Sequence, residues 1–205
     1  MTGPAILVTG FEPFGGETVN ASWEAAQRLD GWRCGDAVAV ARRLPCVYDA
    51  CVAEFIEAFE SLRPGAVLMT GQAARRAVVS VERIARNVSS GSAPDNRGAL
   101  PADESNGPAR LEATAAAGDI ARAIRAAGLS ARVSTNAGDY VCNHLFYGGL
   151  RHVLNRAPAT PAVFIHLPPT PGQSPRRANA RRLATVDAVR ALRAAIAAMA
   201  RGGAA

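Results

Sequence analysis

The sequence predicts an α/β protein with a largely parallel sheet covered on both faces by helices. Two observations carry this prediction. Short runs of strand-forming residues alternate with longer Ala, Leu and Arg segments of helical period. At 205 residues and 49% apolar composition, the chain can bury a substantial core within the usual size of one domain, here residues 1–205.

The expected strands are AILVTG (5–10), DAVAVAR (36–42), AVLMTG (66–71), AVVSVERIA (77–85), ARVST (131–135) and AVFIHL (162–167). The expected helices are SWEAAQRL (22–29), DACVAEFIEAFESL (49–62), LEATAAAGDIARAIRAA (111–127), YVCNHLFYGGLRHVLN (140–155) and VDAVRALRAAIAAMA (186–200). Residues 88–110 are rich in Gly, Pro, Ser, Asn and Asp without periodicity and read as a long loop, a kind that is commonly functional. A second break, PPTPGQSPRR, precedes the terminal helix. That helix reads as a packing helix with a solvated arginine face.

Composition excludes several functions. No apolar stretch approaches the roughly 20 residues that cross a bilayer, and the N-terminus lacks a basic leader region, so a soluble cytoplasmic protein is expected. The four cysteines, Cys34, Cys46, Cys51 and Cys142, form no CxxC pair and are expected as free thiols. All 23 basic residues are arginine, which removes Schiff-base chemistry and a P-loop lysine. The net charge of +6 is scattered in arginine pairs without interleaved aromatics, so no nucleic-acid surface is expected. The loop TGFEPFGG after the first strand matches neither GxGxxG nor GxxxxGK[ST], which disfavours phosphate binding. Its Phe11 and Phe14 either pack in the core or line a ligand pocket.

Nucleophilic chemistry must draw its base from three histidines. Cys142 follows the turn NAGDY at the expected start of a helix, where the helix end lowers a thiol pKa. On that helix His144 lies about 200° around the axis from Cys142, and His152 lies about 15 Å further along it. His166 closes a strand, and in a parallel sheet catalytic groups meet at the strands' carboxyl ends. Cys142 is expected at that same edge. Glu82 is a carboxylate in an apolar strand; it either orients His166 or occupies an ordinary exposed strand position.

Several motifs, in order, resemble the pyrrolidone-carboxylate peptidase (pyroglutamyl peptidase I) family over nearly the whole chain. They are LVTGFEPFGG followed by NASWEAAQRL, then TGQA, VERIARNV, APDNRG, GPARLEAT, STNAGDYVCNHLFYG and FIHLPPTPGQ. The resemblance implies a three-layer α/β/α sandwich with a mixed, largely parallel sheet of the phosphorylase/hydrolase-like type. It implies a Cys/His/Glu triad on Cys142, His166 and Glu82, working without metal or cofactor. It further implies an apolar pyroglutamyl pocket formed by Phe11 and Phe14, with Asn20 and Gln72 close by. The implied substrates are pyroglutamyl peptides and the implied assembly is a homotetramer. The chain departs from the family pattern at Ser92, at Ala74 with Arg75, at Asp139 and at Pro169.

Two other readings stay open at this stage. The implied fold is shared with nucleoside phosphorylases, for which activity would depend on phosphate. A silent binding module would show no turnover and would keep its ligand affinity after Cys142 is blocked.

Overall fold

The computed structural model describes residues 3–88, 91, 93–100, 107–171, 173 and 182–202. Ser92, Arg176, Arg177 and Arg181 lie outside them. Strands β1 (Ala5–Phe11), β4 (Ala66–Gln72) and β9 (Ala162–Leu167) are apolar runs buried almost throughout. That is the pattern of strands covered on both faces, and they form the centre of a seven-stranded sheet.

The sheet runs in the order β2 (Arg33–Cys34), β3 (Ala37–Leu44), β1, β4, β9, β5 (Val79–Glu82), β8 (Ala131–Ser134). Strand β3 pairs in parallel with β1, β1 with β4, and β4 with β9. Strand β5 then joins β9 antiparallel, and β8 joins β5 in parallel. The sheet is therefore mixed and largely parallel. Helices cover both faces and form two apolar cores. One lies beneath α1 (Ala21–Ala26), α3 (Ala117–Ala126) and α5 (Thr185–Gly202). The other lies beneath α2 (Tyr48–Leu62) and α4 (Val141–Arg156). No helix among the described residues is long and apolar enough to cross a membrane.

Three expectations change. The strand expected at 77–85 breaks after Glu82, and β6 (Ile84–Arg86) leaves the main sheet to pair with β7 (Arg110–Glu112). The helix was expected to start at Leu111, yet Leu111 and Glu112 belong to β7 and α3 begins only at Ala117. Tertiary bonds decide this: the Thr114 hydroxyl donates to the Thr160 carbonyl at 2.7 Å and accepts from the Ala162 amide at 2.7 Å, holding the segment extended against the start of β9. The short edge strand β2 (Arg33–Cys34) was not expected. It turns into β3 through Gly35, whose φ of 60° suits a tight hairpin.

Candidate active site

The alternation of side chains along strands sorts the candidates by face. In β9, Phe164 and His166 share the face covered by α2 and α4. Antiparallel pairing sets Ser80 opposite His166 and Glu82 opposite Phe164, so Glu82 is the diagonal same-face neighbour of His166. Their side chains meet, with His166 Nδ1 2.8 Å from Glu82 Oε1. Glu82 is 0% exposed and His166 3%, so an exposed strand position for Glu82 is excluded.

Cys142 reaches this pair by a route that sequence did not foresee. Because β8 runs antiparallel to β9, its carboxyl end points away from the edge where β9 ends. Residues 135–140 carry the chain back across the face before α4 begins. The sulfur then seats on β4: a Cβ built on Gly71 would lie 2.7 Å from Cys142 Sγ and 2.8 Å from Phe164 Cζ. Gly71 pairs with His166 across the β4–β9 ladder. The sulfur thus sits above the immediate strand neighbour of His166, and only glycine leaves room for it.

The expected acidification of the thiol by the helix terminus does not prevail. Burial pushes Cys142 well above the ordinary thiol range, Cys46 and Glu82 add to the rise, and Arg76 opposes it. Desolvation of the thiolate outweighs the partial charge of one helix end. Burial also pushes His166 below the ordinary imidazole value, with Glu82 opposing and Arg76 assisting. Both shifts favour the neutral forms, a thiol and an unprotonated imidazole. Tyr140, the N-cap of α4, makes no capping side-chain bond to the first-turn amides.

The other histidines face α2. His144 Nε2 lies 3.5 Å from Asp49 Oδ1 and its ring is edge-on to Tyr48. His152 Nε2 lies 2.8 Å from Glu60 Oε1.

Phe11 is 2% exposed and belongs to the core. Phe14 is half-buried, its ring centroid 5.9 Å from that of Tyr140, two residues before Cys142. Asn20 and Gln72 brace this loop from below. Asn20 caps α1 by accepting from the Ser22 amide at 3.0 Å and donates to the Glu12 carbonyl at 2.9 Å. Gln72 points to the opposite face of the sheet, where its Oε1 accepts from the Ala21 amide at 2.7 Å.

Sequence reasoning missed other residues that brace the candidate site. Asn96 donates to Glu12 Oε1 at 2.8 Å and to the Pro13 carbonyl at 2.9 Å, tying APDN to the phenylalanine loop. Asp95 Oδ2 accepts from the Tyr48 amide at 3.1 Å and so caps α2, whose N-cap Val47 has no capping side chain. Asn143 brackets Arg86 by accepting from its amide at 3.1 Å and donating to its carbonyl at 2.8 Å. Arg76 lies 2.8 Å from Glu82 Oε1. All but the Arg76–Glu82 contact join residues 47 to 84 positions apart, so only PDN turn chemistry could have flagged one of them.

The described residues bring together no group of three or more His, Cys, Asp or Glu placed to hold a metal ion. A surface cleft of about 530 Å³ between α3 and α5 is lined by Thr114, Arg122 and Met199, among others. It lies toward the amino end of β9, away from His166.

A profile of the pyroglutamyl peptidase family matches residues 4–202. The chain belongs to that family. Among pyroglutamyl peptidase family relatives, it is 48% identical over 199 residues to the pyrrolidone-carboxylate peptidase of Cupriavidus taiwanensis, covering 95% of this chain and 92% of the relative. It is 47% identical to that of Cupriavidus necator over 197 residues, covering 94% and 91%. The crystal structure of Bacillus amyloliquefaciens pyroglutamyl peptidase I superposes with a TM-score of 0.92 at 36% identity, covering 98% of each chain. Family membership and the mixed α/β sheet are thereby both shown.

Proposed function

We propose that this chain is a cysteine peptidase hydrolysing the bond after an N-terminal pyroglutamyl residue, with Cys142 as nucleophile, His166 as base and Glu82 orienting that base. Family membership supports the reaction class. The observation that carries the residue roles is the 2.8 Å contact between His166 Nδ1 and the buried Glu82, beside a cysteine sulfur seated on the glycine next to His166.

A carboxylate at Nδ1 selects the tautomer with the proton on Nδ1 and leaves the Nε2 lone pair free. The thiol proton passes to Nε2 as the sulfur–carbon bond forms. The tetrahedral oxyanion is received by the uncapped first-turn amides of α4, a contribution of about 3 kcal/mol per donor in other hydrolases. Collapse breaks the C–N bond, and the imidazolium gives its proton to the leaving amine. Water, losing its proton to Nε2, then cleaves the thioester to release 5-oxoproline and restore the thiol.

The Phe14 ring beside Tyr140, with Phe11 behind it, supplies the apolar wall for the lactam ring. Asn20 and Gln72 shape that wall through the backbone they hold, and no metal or cofactor is called for. The chain acts as one peptidase domain over residues 1–205, in the cytoplasm and as a homotetramer; the mass by light scattering tests the assembly. The decisive experiment is hydrolysis of a pyroglutamyl amide by the parent, Cys142→Ala and His166→Ala proteins. Each variant is expected to lose nearly all turnover while keeping its melting profile. Substantial residual activity in either would overturn the residue assignment.

A further inference from the structure

Arg76 stands at the centre of the site but takes no part in the steps above. Its side chain is 14% exposed, and its NH1 lies 2.8 Å from the same Glu82 oxygen that meets His166 Nδ1. The contact is ionic rather than a directed hydrogen bond, and Glu82 Oε2 is buried with no hydrogen-bond partner among the described residues. The other end of the guanidinium is anchored: NH2 donates to the Asn136 carbonyl at 2.6 Å. Asn136 belongs to the segment that delivers Cys142, and its Oδ1 accepts from Arg86 at 2.6 Å and from the Gly138 amide at 2.9 Å. A carboxylate at zero exposure needs a compensating cation.

We propose that Arg76 is a positioning residue that neutralises Glu82, so that His166 rests as a neutral, base-ready imidazole, and that it also locks the Asn136 segment carrying Cys142 to the acid–base pair. The proposal rests on the assignment of His166 as base. Without a cation, the full charge of Glu82 would draw a proton onto His166 in the resting state. The imidazole would then be unable to accept the thiol proton. Arg76 sets the balance: Glu82 stays an acceptor for Nδ1–H, and the imidazolium forms only once Cys142 attacks.

The ionisable groups facing the pair come from several elements. They are Arg76 from the loop after β4, Arg132 from β8, Cys142 from α4 and Cys46 from the loop after β3. Arg132 holds Ser80 Oγ at 3.4 Å, and Ser80 stands opposite His166. Arg132 is exposed, whereas Arg76 is mostly buried and touches the carboxylate, so Arg76 dominates.

The test uses Arg76→Met and Arg76→Gln, which remove the charge, and Arg76→Lys, which keeps it. The His166 imidazole is titrated by NMR in substrate-free protein, and kcat/KM is measured against pH on a pyroglutamyl amide. Removing a nearby cation makes His166 easier to protonate. Both neutral variants are therefore expected to titrate at higher pH than the parent and to move the acid limb of kcat/KM the same way. Their kcat should fall about 10- to 100-fold, with KM nearly unchanged. Arg76→Lys should titrate like the parent. Thermal melts identify a variant that does not fold, in which case the remaining neutral variant decides. An unmoved His166 titration in a folded neutral variant, or a parental kcat in that variant, would overturn the proposal. So would Arg76→Lys titrating like the neutral variants. Because the titration needs no substrate, it separates failure of this proposal from failure of the peptidase assignment.

Discussion

Gly71→Ala isolates the seat of Cys142, the proposed nucleophile. The added Cβ would lie 2.7 Å from Cys142 Sγ and 2.8 Å from Phe164 Cζ. Ordinary non-bonded contacts fall at about 3.5–4.0 Å, so the sulfur must retreat by about 1 Å or more from its place beside His166. Misplacement by about 1 Å is enough to cost about 100-fold in rate, equivalent to about 2.7 kcal/mol of transition-state stabilisation. The same overpacking should destabilise the fold by about 1–3 kcal/mol. For a chain of this length that is a fall of about 2–12 °C in Tm. Gly148→Ala is the control, because its Cβ would meet Val52 Cγ1 and Cγ2 at 2.9 Å, between α4 and α2 rather than at the sulfur. Steady-state kinetics on a pyroglutamyl amide, with thermal melts of both variants, should show two similar losses of stability but a loss of kcat only for Gly71→Ala. A folded Gly71→Ala protein with parental kcat would refute the inference that the sulfur's seat on β4 sets its reach to His166.

Burial lowers the His166 pKa, so its neutral form persists below the ordinary value of about 6.5, and the acid limb of kcat/KM should fall below that pH; a limb above it would contradict a buried neutral base. By the same linkage, the stability from burying neutral His166 is fully present above about pH 6.5 and declines as pH drops toward the lowered folded value, which denaturant melts across that window will register. Phe14→Ala should raise KM for pyroglutamyl amides about 2- to 10-fold through the lost ring contact, while alkylation of Cys142 by a small reagent in a Cys34→Ser background stays unchanged; a parallel fall in both would make Phe14 a prop of the site. Asp95→Ala should cost about 1–2 kcal/mol by uncapping α2 and freeing the Arg97 and Ala99 amides, and an unchanged urea midpoint would show that the APDN segment does not brace α2.

The alternation of strand and helix residues, the absence of lysine, the placement of His166 at a strand end and the family motifs all lie in the sequence itself. They rest on local periodicity and composition, which a chain carries whatever its fold. The same periodicity separated His144 and His152 from Cys142, and both turn toward α2. What periodicity could not supply was the direction of β5 and β8. The antiparallel join of β5 to β9 makes Glu82 the diagonal neighbour of His166, and with β8 parallel to β5 it sends residues 135–140 back across the face to deliver Cys142 onto Gly71. Nor could it supply the reversal of the thiol's acidity, because a helix terminus is visible in sequence whereas desolvation depends on everything packed around the sulfur. Arg76 shows the same limit most plainly. In sequence it is one of 23 basic residues, and only the folding of the loop after β4 beneath Asn136 turns it into the cation of a buried carboxylate, because electrostatic partners are chosen by distance in space rather than along the chain.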